Sequence, residues 1–173
     1  LKIHKGDLIA ATSGRSFWIL DDIGLLRQYK KSIDSFTVFQ PEETYLVNAY
    51  SELNQSNPDF DGTSKFNGVN PATGAVLYYH LPDLKANEQV ELEIKDAEGK
   101  LVRRISSKPD SLYRRYDGGP RPEPLLAKRK GLNRFVWDLR HATVPGVPGV
   151  YIESSYAGHI ASPGTYTMTL KVR

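Results

Sequence analysis

With 173 residues, a formal charge of +3, 39% hydrophobic residues, ten Tyr and six Phe, the chain has the length of one ordinary domain and enough apolar content for a core. Cysteine is absent, which excludes disulfides, thiolate metal sites and a cysteine nucleophile. No apolar run approaches the roughly 18 residues of a membrane span, and Gly and Pro scattered among short apolar runs favour strands and turns over helices.

The chain opens at Leu1 rather than Met, which reads as a processed or excised piece. Residues 1–28 hold two short strand patterns, Asp7 to Thr12 and Ser16 to Asp21, joined by the turn Ser13 to Ser16 and preceded by a turn at His4 to Asp7. A free two-stranded hairpin is marginal in water. With Leu8, Ile9, Phe17, Trp18, Ile19 and Leu20 to cover, this one must dock on something, or associate with another copy through its open edges. Ile23 to Tyr29 suits a single helical turn leading away.

Ser35 to Phe39 predicts a strand that stops before Pro41, and Thr44 to Val47 predicts its resumption. Residues 51–74 are polar and rich in Asn and Gly, as a long loop is. Gly74 to Leu81 predicts a strand closed by Pro82. The clearest hairpin follows: Val90, Leu92 and Ile94 alternate with Glu91, Glu93 and Lys95, Asp96 to Gly99 turns, and Leu101 to Ile105 returns. Glu91 and Glu93 are expected on its solvated outer face. Residues 106–130 form a basic, Pro-rich connection, and residues 141–162 a second irregular loop.

Two further stretches alternate with period two over a length that reads as a strand with one buried face. In Gly131-Leu-Asn-Arg-Phe-Val-Trp-Asp-Leu-Arg140 the apolar set is Phe135, Trp137 and Leu139; in Pro163 to Val172 it includes Tyr166 and Leu170. These five residues are the expected core of an antiparallel β-sandwich of six or seven strands from residue 35 onward. Asp138 and Arg140, on the face opposite Trp137, suggest a cross-strand ion pair.

Charge is uneven along the chain. Residues 41–99 carry 3 cations against 11 carboxylates, and residues 100–140 carry 12 against 4. Two solvated or mutually facing surfaces explain this; a polyanion site is the alternative.

The order Glu91-Leu-Glu-Ile-Lys-Asp-Ala-Glu-Gly-Lys-Leu-Val-Arg103, then Gly131 to Arg140, then Ser162-Pro-Gly-Thr-Tyr-Thr-Met-Thr-Leu170 resembles the Ig-like or fibronectin-type domain that follows the β-propeller in bacterial-neuraminidase-repeat, sortilin-type glycosyl-hydrolase-like proteins. Ig-like domains of the hook-capping type use a similar order. Gly6 to Asp22 is similar to the last strands of that propeller. The resemblance implies residues 1–28 as the remnant of a propeller blade and residues 29–173 as an Ig-like β-sandwich with long loops at 51–74, 106–130 and 141–162. It also implies an exported, extracytoplasmic bacterial parent that acts on or binds carbohydrate, with the upstream propeller as this domain's partner. The loops at 51–71 and 141–161 depart from the family pattern. The aspartate box, Ser-x-Asp-x-Gly-x-Thr-Trp, does not occur: Thr12 to Trp18 has the Trp without the Asp. No catalytic residue of the family maps onto this chain.

The candidate chemistry is thin. Glycosidase chemistry needs two carboxylates flanking a sugar site, and the pairs on offer are Asp21 with Asp22, Asp59 with Asp61, and Glu91 with Glu93. Each has a plainer role in a cap, a turn or a solvated strand. Asn57, Asp59 and Asp61 before Gly62 resemble the start of a calcium loop, yet Lys65 and Gly68 stand where ligands belong; Asx-turns explain the same residues. His4, His80, His141 and His159 are scattered without zinc spacing, and no Gly-x-Ser-x-Gly elbow is present. Tyr113, Tyr116, Tyr151 and Tyr156 lie in the long loops with Arg114, Arg115 and Arg121 nearby. They suit stacking on a sugar and contact with an acidic ligand, or else pinning of the loops through their hydroxyls. The sequence therefore predicts a non-catalytic accessory domain without cofactor and without a nucleic-acid partner, with a carbohydrate-binding module as the alternative. A third possibility is part of a hydrolase whose site lies in the propeller.

Overall fold

In the computed structural model, residues 1–4, 6–14, 17–20, 23–29, 33, 35–46, 72–150 and 152–173 are described. In chain order the elements are β1 (Lys2–His4), β2 (Asp7–Ala11), β3 (Phe17–Leu20), α1 (Gly24–Gln28), β4 (Thr37–Val38), β5 (Ala75–Leu81), β6 (Val90–Lys95), β7 (Leu101–Ser106), β8 (Gly131–Trp137) and β9 (Thr167–Val172). The fold is all-β: three small antiparallel sheets run in the orders β1-β2-β3, β4-β5-β8 and β7-β6-β9.

The second and third sheets close on one core. Alternation in β5 turns Ala75, Leu77, Tyr79 and Leu81 inward, and β8 answers with Phe135 and Trp137 in register with Leu77 and Ala75. From the other sheet come Val90, Leu92, Ile94, Ile105 and Leu170. Trp137 is the largest fully buried side chain. Its ring meets Tyr166 edge-on at 5.1 Å, and its indole N–H donates to the Arg140 carbonyl at 2.8 Å. The predicted core residues Phe135, Trp137 and Leu170 are buried, while Leu139 and Tyr166 are half-buried against the same cluster.

The long connection 106–130 is stitched to this core by hydrogen bonds to Tyr79 and Asn133 of the sheets. Tyr79 donates its hydroxyl to the Ala127 carbonyl at 2.6 Å, and burial pushes its pKa up to about 12. Asn133, almost wholly buried, donates to the carbonyls of Arg129 and Gly131 and accepts from the Arg129 N–H. A buried amide satisfied on both ends fixes the backbone it holds.

The strand predicted over 131–140 ends at Trp137, because Leu139 takes a left-handed φ of 56° and turns the chain out of the sheet. Gly74, at φ 135°, makes room for that exit: a Cβ there would strike the Trp137 carbonyl. The strand predicted to resume at Thr44 is not present among the described residues; 41–46 have no ladder partner there. In the hairpin, Ile94 pairs with Arg103 and Lys95 with Leu101, so Val102 is the extra residue of a β-bulge.

The N-terminal sheet has a third strand, β1, that the sequence pattern did not show. Helix α1 does not lead away. The Gln28 side chain accepts from the Gln40 N–H at 2.8 Å and donates to the Gln40 carbonyl at 3.1 Å. Tyr29 stacks on Phe39 at 6.2 Å, and Phe39 donates its N–H to Tyr78 of β5.

Trp137→Ala removes the centre of the core and should cost about 3–5 kcal/mol, as truncation of a buried Trp does. The check is a denaturant midpoint, with an unchanged midpoint contradicting the packing described.

Candidate functional site

The polar residues of the sequence's loops and hairpin converge on three places. The first is Arg103, which alternation from Ile105 places on the inner face of β7 and which is 6% exposed. A guanidinium cannot be desolvated alone. Here its Nε and Nη2 hold one oxygen of Glu123 at 2.9 and 2.8 Å, and its Nη1 holds Asp138 at 2.6 Å. Glu123 also accepts the Thr143 N–H at 2.8 Å. For Glu123, burial acts to raise the carboxyl pKa, but the bonds from Thr143 and Arg103 outweigh it and leave a net lowering. One cation thus ties β7, the 106–130 connection, the exit of β8 and the 141–162 loop together. Of the cross-strand ion pair expected at Asp138 and Arg140, Asp138 pairs with Arg103 of β7 and also accepts the Arg140 N–H, while the Arg140 guanidinium donates to the Gly158 carbonyl.

The second place is the outer face of β6. Glu91 and Glu93 are buried there, not solvated as expected. Arg104 from β7 and Lys171 from β9 reach across the strand to Glu93 at 3.0 and 2.7 Å, with Lys95 at 3.8 Å. Arg104 and Arg173 flank Glu91 at 3.5 and 3.4 Å. The long basic stems lie over the carboxylates and keep their own heads in water. So the acidic and basic blocks of the sequence face each other across this sheet. As a catalytic pair these two carboxylates are already spent on cations.

The third is the loop tyrosines. Tyr113 is half-buried and donates to the Pro120 carbonyl at 2.9 Å. Tyr116 and Tyr156 converge on Gly146, where a Cβ would strike the Tyr116 hydroxyl. Both their hydroxyl oxygens are shut off from solvent. Burial first, and the neighbouring Tyr156 second, raise the pKa of Tyr116. Arg114 is exposed and donates to the carbonyls of Ser111 and Tyr113, and Arg115 is exposed. Asn57, Asp59, Asp61, Asp21, Asp22 and Tyr151 lie outside the described residues.

One juxtaposition is invisible in the sequence. The bridge between Arg140 and Ile160 lays the rings of His141 and His159 on each other, centroids 3.7 Å apart. Burial, then the neighbouring imidazole, lowers the pKa of His141. Residues eighteen positions apart carry no spacing signal for such a pair. Among the described residues no group of three or more His, Cys, Asp or Glu is placed to hold a metal ion, and no helix is long and apolar enough to cross a membrane.

The exposed surface includes a run of large apolar side chains. Phe17, Trp18, Ile19 and Leu20 of β3 are 76, 63, 62 and 51% exposed, on the outer strand of the N-terminal sheet. They stand on both faces of that strand, which is the last of its sheet among the described residues.

The hydrogen bonds from Lys171 and Arg104 lower the Glu93 pKa from 4.5 to about 2. A carboxyl depressed in the folded state contributes stability above its unfolded pKa and loses it as pH falls. Between pH 4.5 and about 2 the denaturation midpoint of the wild type should therefore fall more steeply than that of Glu93→Gln. Above pH 5 the variant should be the weaker of the two, and the curves should converge near pH 2; parallel curves would contradict the ion-pair geometry.

No protein-family model matches the chain, and no curated protein or solved structure matches it.

Proposed function

We propose that the chain is a non-catalytic accessory domain, an Ig-like sandwich of residues 29–173 that packs against a neighbouring β-propeller of an exported bacterial polypeptide through the sheet built by residues 1–20. One observation carries this reading: four consecutive apolar side chains of β3, each more than half exposed on an outer strand. An open apolar edge is a pairing template that sheet proteins cover or suffer from. The propeller and the carbohydrate-handling parent come from the resemblance of Gly6 to Asp22 and of the hairpin, Trp-Asp and Pro-Gly-Thr-Tyr stretches noted above.

The loops favour support over recognition. Tyr113, Tyr116 and Tyr156 direct their hydroxyls into the loop cluster, and Arg103 is enclosed by carboxylates. The bonds of Tyr113 and Arg103 hold irregular chain in place, as an accessory domain needs in order to present a fixed surface.

In isolation the uncovered β3 should drive concentration-dependent association, measured by sedimentation. Ile19→Lys should abolish it with no change in the denaturation midpoint, since Ile19 is exposed. In the intact gene product, hydrogen exchange at residues 17–20 should slow relative to the 1–173 chain. Equal exchange in the two, or a gene product without a propeller, would overturn the reading.

A further inference from the structure

We propose that the free edge of β9, with the cleft beside it, accepts an extended strand from a separate partner polypeptide, apolar at alternate residues and basic near Glu42 and Glu43. The site lies on a different sheet from β3, so this inference stands or falls apart from the accessory-domain reading.

β9 is the last strand of its sheet and pairs only with β6 among the described residues. Gln89 and Arg173 exchange both hydrogen bonds, at 2.7 and 2.9 Å. In an antiparallel pair such residues recur at every second position. With the unbroken register from Val172 to Thr167, residues 171, 169 and 167 therefore turn their backbone groups toward β6. Met168, Leu170 and Val172 turn theirs to the free edge, while their side chains pack on the core. An incoming strand thus meets open donors and acceptors beside an apolar surface, the two requirements for adding a strand.

The start of β9 borders a cleft of about 1080 Å³. Its floor includes Leu77 and Trp137, one wall is the segment 160–168, and the other is the segment 38–46. Residues 43–46 find no backbone partner among the described residues. The cleft therefore runs from the outer edge of β9 to residues 43–46, which have no backbone partner among the described residues, and this suits an extended peptide better than a compact ligand. Its described lining contains Glu42 and Glu43 and no Lys, Arg or His. A basic occupant is favoured there and an acidic one repelled.

The probe is a synthetic peptide, Lys-Val-Thr-Val-Thr-Val-Lys, titrated into the full chain by calorimetry. Three comparisons define the result: the same peptide N-methylated at two edge-facing amides, a Glu-ended version, and a Glu42→Lys/Glu43→Lys double variant. The N-methylated peptide should bind about tenfold more weakly or worse, the effect of two lost hydrogen bonds. The Glu-ended peptide should bind more weakly to the wild type and more tightly to the double variant. Absence of binding, or equal binding of the N-methylated peptide, would overturn strand addition. Binding that appears only after residues 47–71 are excised would assign the cleft to the chain itself. Self-association displaced by the peptide would assign it to a second copy. Either overturns a separate partner.

Discussion

The organisation of the loops follows from one desolvated cation. Alternation in β7 places Arg103 on the inner face with Ile105, where a charged guanidinium is tolerated only if carboxylates meet it. Glu123 and Asp138 do so, and each arrives from a different irregular stretch. Neither stretch has a ladder of its own. The cost of leaving Arg103 unpaired is what obliges both to pass close to β7, and once there they bring Thr143 and the Arg140 backbone with them.

The same logic, with less at stake, runs through the rest of the molecule. Tyr79 and Asn133 each demand partners because each is buried, and both take them from the 106–130 connection. Leu126 then contributes an apolar side chain to the core from that connection, with its N–H held by the Ser106 carbonyl. A Pro-rich segment with no regular structure is in this way given one path, through scattered donors and acceptors placed by the two sheets.

Much of the sheet framework was legible in the sequence, because period-two alternation reports directly which side of a strand is buried. Val90 to Lys95, Gly131 to Trp137 and Thr167 to Val172 all fall where the pattern placed them. Alternation does not say what lies over the other face. Glu91 and Glu93 look solvated in a one-strand pattern, and become buried only because Arg104, Lys171 and Arg173 arrive from neighbouring strands and the chain end. Arg103 and Arg104 are adjacent and chemically identical. Alternation decides which is enclosed: Arg103 pairs with Ile94 and shares the inner face with Ile105, while Arg104 pairs with Glu93 and lies over the sheet. His141 and His159 meet through a single bridge between two loops, a contact with no periodicity to reveal it. At Thr44 to Leu46 the residues favour a strand, but no ladder partner stands among the described residues, and propensity alone does not make a strand.

The clasp between Gln28 and Gln40 has a consequence for how the two exposed regions communicate. Gln40 lines the cleft, and its amide is also the seat of the helix that follows β3. Any occupant that displaces Gln40 must loosen or tighten the helix, and any neighbour that pulls on the N-terminal sheet must act back on the cleft wall. Were binding at one place to change affinity at the other, the reverse effect would have the same factor, since linkage between equilibria is reciprocal.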